Sequence, residues 1–189
     1  MLTNTNRFIT TALLGCCLAG AASAAPEAQT PTSQPAVWEA HHARFDYFGL
    51  TSRYTCDGLE GKVRQILEYL GARRDMSVTA TGCPRGPESF SRSAWVRVDF
   101  STLSAAPASG NAAETVEASW TPLTLVALRP SFMGDGDCEL VKHMQKLVTD
   151  SFSWRGQVAY RTSCPMYATD FHDYQVQGEI LRASVPPHH

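Results

Sequence analysis

Apolar residues recur at helical spacing in two stretches of this 189-residue chain. The spacing i, i+4, i+7, i+8 and i+11 places side chains on one face of an α-helix, and the charged residues between them fall on the other face. The pattern therefore predicts two amphipathic helices, each beginning at a cysteine. The first stripe is Leu59, Val63, Ile66, Leu67 and Leu70, and the second is Leu140, Met144, Leu147 and Val148.

Polar residues at the ends of these stretches predict where the helices begin and end. Asp57 can accept from the free amides of the first turn, with Glu60 three residues later as its capping-box partner. Gly71 suits the left-handed conformation that ends many helices. Asp137 is the corresponding cap of the second helix.

Runs that alternate between apolar and polar residues flank each helix and predict strands. In 94–100, Val96, Val98 and Phe100 share one face, which places Trp95 and Arg97 on the opposite face. The other predicted strands are 45–54, 76–81, 123–128, 157–162 and 174–180.

The two halves of the chain are similar when one is shifted by 81 positions. The shift superposes the two apolar stripes, and it places Thr81-Gly82-Cys83-Pro84 on Thr162-Ser163-Cys164-Pro165. This agreement indicates a duplicated βαββ unit, at about 38–103 and 117–186 within one globular domain, 38–186. We expect an α+β fold in which the two repeats form a mainly antiparallel sheet with both helices on one face.

Four cysteines remain after the amino-terminal segment, and duplication favours pairing within each repeat. The expected disulfides are therefore Cys56–Cys83 and Cys138–Cys164, each stabilising the fold by roughly 3–4 kcal/mol on the loop-entropy model. A redox role would favour a Cys-X-X-Cys motif, and none occurs after residue 25.

The amino terminus has the features of a secretory signal peptide. Residues 8–22 are mostly small and apolar, and Ala22-Ser23-Ala24 predicts cleavage after Ala24. An alternative is a lipoprotein anchored at Cys16, since Leu13-Leu14-Gly15-Cys16 resembles a lipoprotein box. Three prolines among residues 25–37 predict a flexible tether. The expected location is the periplasm or the exterior, with no membrane span.

Charge argues against two classes of partner. The chain carries 16 basic and 18 acidic side chains. Loss of the signal peptide removes Arg7, which leaves 15 basic side chains and a net charge of −3. Nucleic acids and anionic membranes select clustered positive charge, so we expect neither as a partner.

Motifs of known catalytic or metal sites are absent. The chain has no Gly-X-Ser-X-Gly, His-Glu-X-X-His or Ser-X-X-Lys motif, and Ser91, His172 and Asp173 carry no weight as a triad. His41 and His42 could join His172 around a metal, but adjacent residues of a strand point in opposite directions. We therefore predict no catalytic, metal or cofactor site. Other weak metal candidates are the His188-His189 tail and a faint calcium-loop pattern, Asp135, Asp137 and Glu139.

Trp95 and Arg97 are the predicted ligand-binding residues. If the helices cover the valine face of their strand, this pair forms a candidate binding surface on the other face. The alternative is that a second layer, a loop or a dimer partner covers it. The sequence favours an exported, non-enzymatic binding domain of the bacterial cell envelope, whose partner is a protein, an envelope component or a small ligand. A periplasmic hydrolase and a periplasmic metal binder are the alternatives.

Overall fold

The computed structural model describes residues 33–50, 52–84, 90–105, 115–164 and 173–184. The predicted signal peptide, Cys16 and most of the predicted tether lie outside these residues, and so do His172, His188 and His189.

Within the described residues, the protein has six strands, two α-helices and one short 3₁₀ helix at Asp135–Asp137. The strands form one antiparallel sheet in the order β2-β3-β1-β4-β6-β5, which confirms the α+β class and the antiparallel sheet. The elements in chain order are β1 (Gln34–Phe48), α1 (Cys56–Leu70), β2 (Ser77–Thr81), β3 (Ser93–Ala105), β4 (Thr115–Val126), α2 (Cys138–Ser151), β5 (Trp154–Ser163) and β6 (Asp173–Ala183).

The sheet consists of two three-stranded halves, β2-β3-β1 and β4-β6-β5, joined where β1 begins. Gln34 to Val37 pair with Ala118 to Thr115 of β4. This strand pairing includes the last four residues of the predicted tether, so the ordered chain begins earlier than expected. Pro35 is tolerated because it precedes the first β1–β3 pair, at Ala36, and therefore lacks a β3 partner.

Helix α1 is capped differently from the prediction. The Thr55 hydroxyl, rather than Asp57, accepts from the Gly58 amide at 3.0 Å. The Glu60 carboxylate accepts from the Ala80 amide of β2 at 2.8 Å and so ties the helix to the sheet. The helix ends at Gly71, whose φ of 101° is the predicted left-handed conformation.

Both apolar stripes lie in one core, packed against alternate residues of the strands. Val63 and Leu67 of α1 are fully buried, as are Leu140 and Met144 of α2. The expected disulfides are present: Cys56–Cys83 and Cys138–Cys164 close the two halves separately, with Cα–Cα distances of 5.4 and 5.7 Å. Strand residues of this core include Tyr47, Val96, Val98, Phe100, Leu123, Leu125, Tyr174, Val176 and Ile180.

A smaller apolar cluster lies at the β1–β4 junction, on the sheet face away from the helices. Ala36, Ala118, Leu103 and Leu181 are buried there. Trp38, Val116 and Trp120 pack against them, and the Arg73 guanidinium lies 5.9 Å from the centre of the Trp38 ring. In the part of the chain that the structure describes, no helix is long and apolar enough to cross a membrane.

Candidate functional site

Trp95 lies on the solvent side of β3. Its neighbours Ala94 and Val96 are buried in the helix-covered core, whereas 64% of the Trp95 surface is exposed. Alternation along the strand produces this difference, because successive side chains of a strand point to opposite faces. The structure thus places Trp95 and Arg97 on the face opposite the helices.

Cross-strand pairing gathers six residues into one surface, which we call the tryptophan face. Trp95 of β3 lies between Asp46 of β1 and Thr81 of β2. The next cross-strand row on this face, or rung, lies two residues along each strand, and there Arg97 lies between Arg44 of β1 and Thr79 of β2. These side chains border an open hollow of about 530 Å³.

The Trp95 ring rests on Gly82, immediately after β2. Gly82 has a φ of 80°, and a Cβ there would lie 2.6 Å from two ring atoms, Cε3 and Cζ3. Glycine therefore meets two requirements at this position, a left-handed backbone and space for an indole. One part of the ring is supported by the backbone, and the rest faces solvent.

Arg44 and Arg97 form an unusual cross-strand pair. They lie directly opposite each other, where like charges are destabilising. Among the described residues, neither guanidinium has a hydrogen-bond or ion-pair partner. The nearest carboxylates in the register belong to Asp46 and Asp99, one rung away on either side. Asp99 already contacts His42, with 2.7 Å between Oδ1 and the ring Nδ1.

The corresponding face of the other half-sheet differs, because its polar side chains contact one another. Gln175 donates to Gln177 at 2.6 Å and accepts from Arg161. Arg155 lies 3.7 Å from Glu179. The arginines of the tryptophan face are therefore available to a ligand, whereas these polar side chains of the other half-sheet contact one another.

A second feature is a polar cluster where the loop before α1 meets the loop before α2. The buried Asp137 carboxylate accepts from the Tyr54 hydroxyl, from the Lys62 ammonium at 3.0 Å and from the Gly134 amide at 2.7 Å. Burial raises the pKa of the Tyr54 hydroxyl far above its usual range, and the Asp137 charge adds to the effect. Tyr54 therefore stays protonated at neutral pH.

Glu139 ties the same loops together on the other side. Its carboxylate accepts from the amides of Leu50 at 2.9 Å and Ser52 at 3.3 Å. Both carboxylates thus hold the chain itself, as structural clasps do. A general acid or base must reach a substrate proton, and these two carboxylates are instead engaged with the protein's own groups. The predicted cap at Asp137 is correct in position but wrong in role, since its side chain makes no cap bond to α2.

The three histidines that the structure describes occupy separate places. His41 lies on the helix side, 2.8 Å from the Thr102 hydroxyl, and His42 lies on the opposite face beside Asp99. His143 of α2 contacts the Phe48 carbonyl at 3.2 Å. Among the described residues, no group of three or more His, Cys, Asp or Glu side chains is arranged to hold a metal ion.

Comparison of this chain with protein-family models, with curated proteins and with solved structures gives no match.

Proposed function

We propose that this protein is an exported, non-enzymatic binding domain of the bacterial cell envelope that acts through the tryptophan face. One observation carries the proposal: Trp95 is exposed beside two directly opposed arginines that have no partner among the described residues. Binding surfaces concentrate their energy in a few aromatic and arginine side chains. The other half-sheet, with its paired polar residues, lacks this combination.

Two features support export. Both disulfides suit an oxidising compartment, where paired cysteines commonly stabilise small domains. The predicted signal peptide, or lipidation at Cys16, supplies the route. A periplasmic or secreted location follows from these features taken together.

Duplication explains how one face came to differ from the other. The element order β-α-β-β occurs twice, and each disulfide joins a helix start to a cysteine one or two residues beyond the end of the next strand. Lys62 and His143 share a position under the shift of 81, and each reaches a carbonyl of the other half, at Phe132 and Phe48. Strand β6 is then the counterpart of β3, and the residues on its face away from the helices include Gln175 and Gln177. Among the described residues, only the first repeat therefore carries the binding face.

Capture from envelope extract tests this function. Wild-type protein, Trp95→Ala and Arg97→Gln are immobilised, and bound proteins, lipids and glycans are identified by mass spectrometry. We expect a component that is retained by wild type and lost from both variants. About a third of Trp95 is buried, so its removal should cost less than about 2 kcal/mol of folding stability, against 3–5 kcal/mol for a buried aromatic.

Leu128→Ala is the control, because Leu128 is a large apolar side chain that is 70% exposed and lies outside the tryptophan face. It should leave both capture and stability unchanged. If the capture profiles of all four proteins are identical, the tryptophan face is not the binding surface. A loss of 3 kcal/mol or more in Trp95→Ala would place that ring in the core.

A further inference from the structure

We infer that the ligand of the tryptophan face is an extended oligosaccharide that carries carboxylates on some of its rings. The inference rests on the proposed binding function and assigns its ligand class. It follows from the charges of this face, its polar groups, its aromatic rings and its shape.

The arginine pair favours an anionic group in the ligand. Arg44 and Arg97 are directly opposed and repel each other, so an anion between them would relieve the repulsion and accept charge-assisted hydrogen bonds from both. A carboxylate matches the planar fork of a guanidinium. The first element of the ligand is therefore an acidic group at this rung.

The charge of the whole face sets the charge density of the ligand. Two aspartates, Asp46 and Asp99, flank the arginine pair, so the local charge is close to balanced. A dense polyanion such as a nucleic acid, or an anionic bilayer, would be repelled by these carboxylates and would need a basic cluster. A chain with widely spaced carboxylates fits better.

The next rung offers a ring surface with polar groups beside it. Trp95 presents an exposed indole, held in place by Gly82. Thr81 and Asp46 lie on either side of it, as a hydroxyl and a carboxylate. A ligand ring that is apolar on its flat side and carries hydroxyls at its rim would use both, as a pyranose does.

The shape selects an extended ligand over a small molecule. Small-molecule sites enclose most of the ligand surface, whereas this hollow lies open on a sheet. Phe48, which is 51% exposed, continues the surface one rung beyond Trp95. The arginine rung and the Phe48 rung are four residues apart, or roughly 14 Å along a strand, so a ligand that contacts both spans several rings.

Titration with defined oligosaccharides tests the inference. The probe is a decasaccharide of alternating glucuronate and N-acetylglucosamine, and the matched ligand is the same decasaccharide with its carboxyl groups reduced to alcohols. Binding is followed by calorimetry and by the indole N–H resonances in NMR spectra. We expect the reduced ligand to bind at least about tenfold more weakly, since it loses charge-assisted hydrogen bonds.

Variants assign the binding to the face. Arg44→Gln, Arg97→Gln and Trp95→Ala should each weaken binding of the acidic ligand about tenfold or more. Arg161→Gln is the matched control on the other half-sheet, where Arg161 contacts Gln175, and it should bind like wild type. Equal affinity for the two ligands, or no effect of the face variants, would overturn the inference.

Two further arms separate this inference from the function on which it rests. Heparin and phosphatidylglycerol vesicles represent dense anions, and binding of these by a Trp95-dependent route without binding of the decasaccharide would overturn the ligand class. If envelope capture depends on Trp95 but the decasaccharide does not bind, the saccharide ligand class is likewise refuted, and the proposed binding function of the tryptophan face stands. Capture that is independent of Trp95 would refute the proposal that the tryptophan face is the binding surface.

Discussion

Replacing Asp137 by Ala should strongly destabilise the protein. Asp137 is buried and accepts from the Tyr54 hydroxyl, the Gly134 amide and the Lys62 ammonium. Each orphaned neutral donor costs about 1–3 kcal/mol. Breaking a buried ion pair by removing one partner typically costs about 3–5 kcal/mol in all. We take this range because Lys62 keeps the Phe132 carbonyl as an acceptor.

Urea unfolding followed by circular dichroism measures the loss. With a slope of about 2 kcal/mol/M, a loss of 4 kcal/mol lowers the midpoint by about 2 M. Asp150→Ala is the control, because the exposed Asp150 carboxylate contacts Lys146 and the Thr149 hydroxyl at the surface of α2, and its midpoint should match wild type. The double variant Lys62→Met with Asp137→Leu should recover part of the loss, since an apolar pair can replace a buried ion pair. A midpoint shift for Asp137→Ala below about 0.5 M would refute the clasp.

Two other predictions concern the core. Burial raises the pKa of Tyr47, Tyr54, Tyr160 and Tyr174 above the usual value near 10, so their stabilisation is complete below pH 10 and is lost as the pH rises further. With four such tyrosines, the free energy of unfolding should fall by about 5 kcal/mol per pH unit above pH 10. After a rapid pH jump, most tyrosinate absorbance at 295 nm should appear only as the circular dichroism of the fold is lost. Tyrosinate formation in the still-folded protein would contradict this. Val63→Asp should prevent folding because Val63 is fully buried, whereas Gln65→Asp on the polar side of α1 should fold; a folded Val63→Asp protein, judged by circular dichroism, would contradict the packing of α1.

Most of the fold could be predicted from the sequence because hydrophobic periodicity reports directly on burial. Both helices begin at the predicted cysteines, Cys56 and Cys138, and both disulfides pair as expected. Strand ends were less accurate. Strand β1 begins at Gln34, before the predicted start at 45, because it pairs with β3 from Ala36 onward. Its first four residues fall in the predicted tether, where pairing with β4 outweighs the local preference of proline.

The two clusters illustrate what the sequence could not supply. From the sequence, Asp137 and Glu139 indicate a turn, a helix cap or a weak calcium loop. Apart from the Gly134 amide, the partners that define their role lie more than 70 residues away, at Tyr54, Lys62, Leu50 and Ser52. Trp95 and Arg97 were found by alternation within one strand. Arg44 was missed because its place beside Arg97 depends on the register between β1 and β3.

That register gives a physical reason to regard the arginine pair as functional. A slip of two residues would keep every side chain on its present face and would place Arg97 opposite Asp46 and Arg44 opposite Asp99. Each opposite-charge pair would contribute about 0.2–1 kcal/mol. In the observed register, neither of these opposite-charge pairs lies directly across the strands. The buried face explains why, since the slip would move the buried Tyr47 from Ala94 to the larger Val96 and overpack a dense core. Core packing thus holds two arginines together against their own repulsion, and local conflicts of this kind are expected where a protein binds something else.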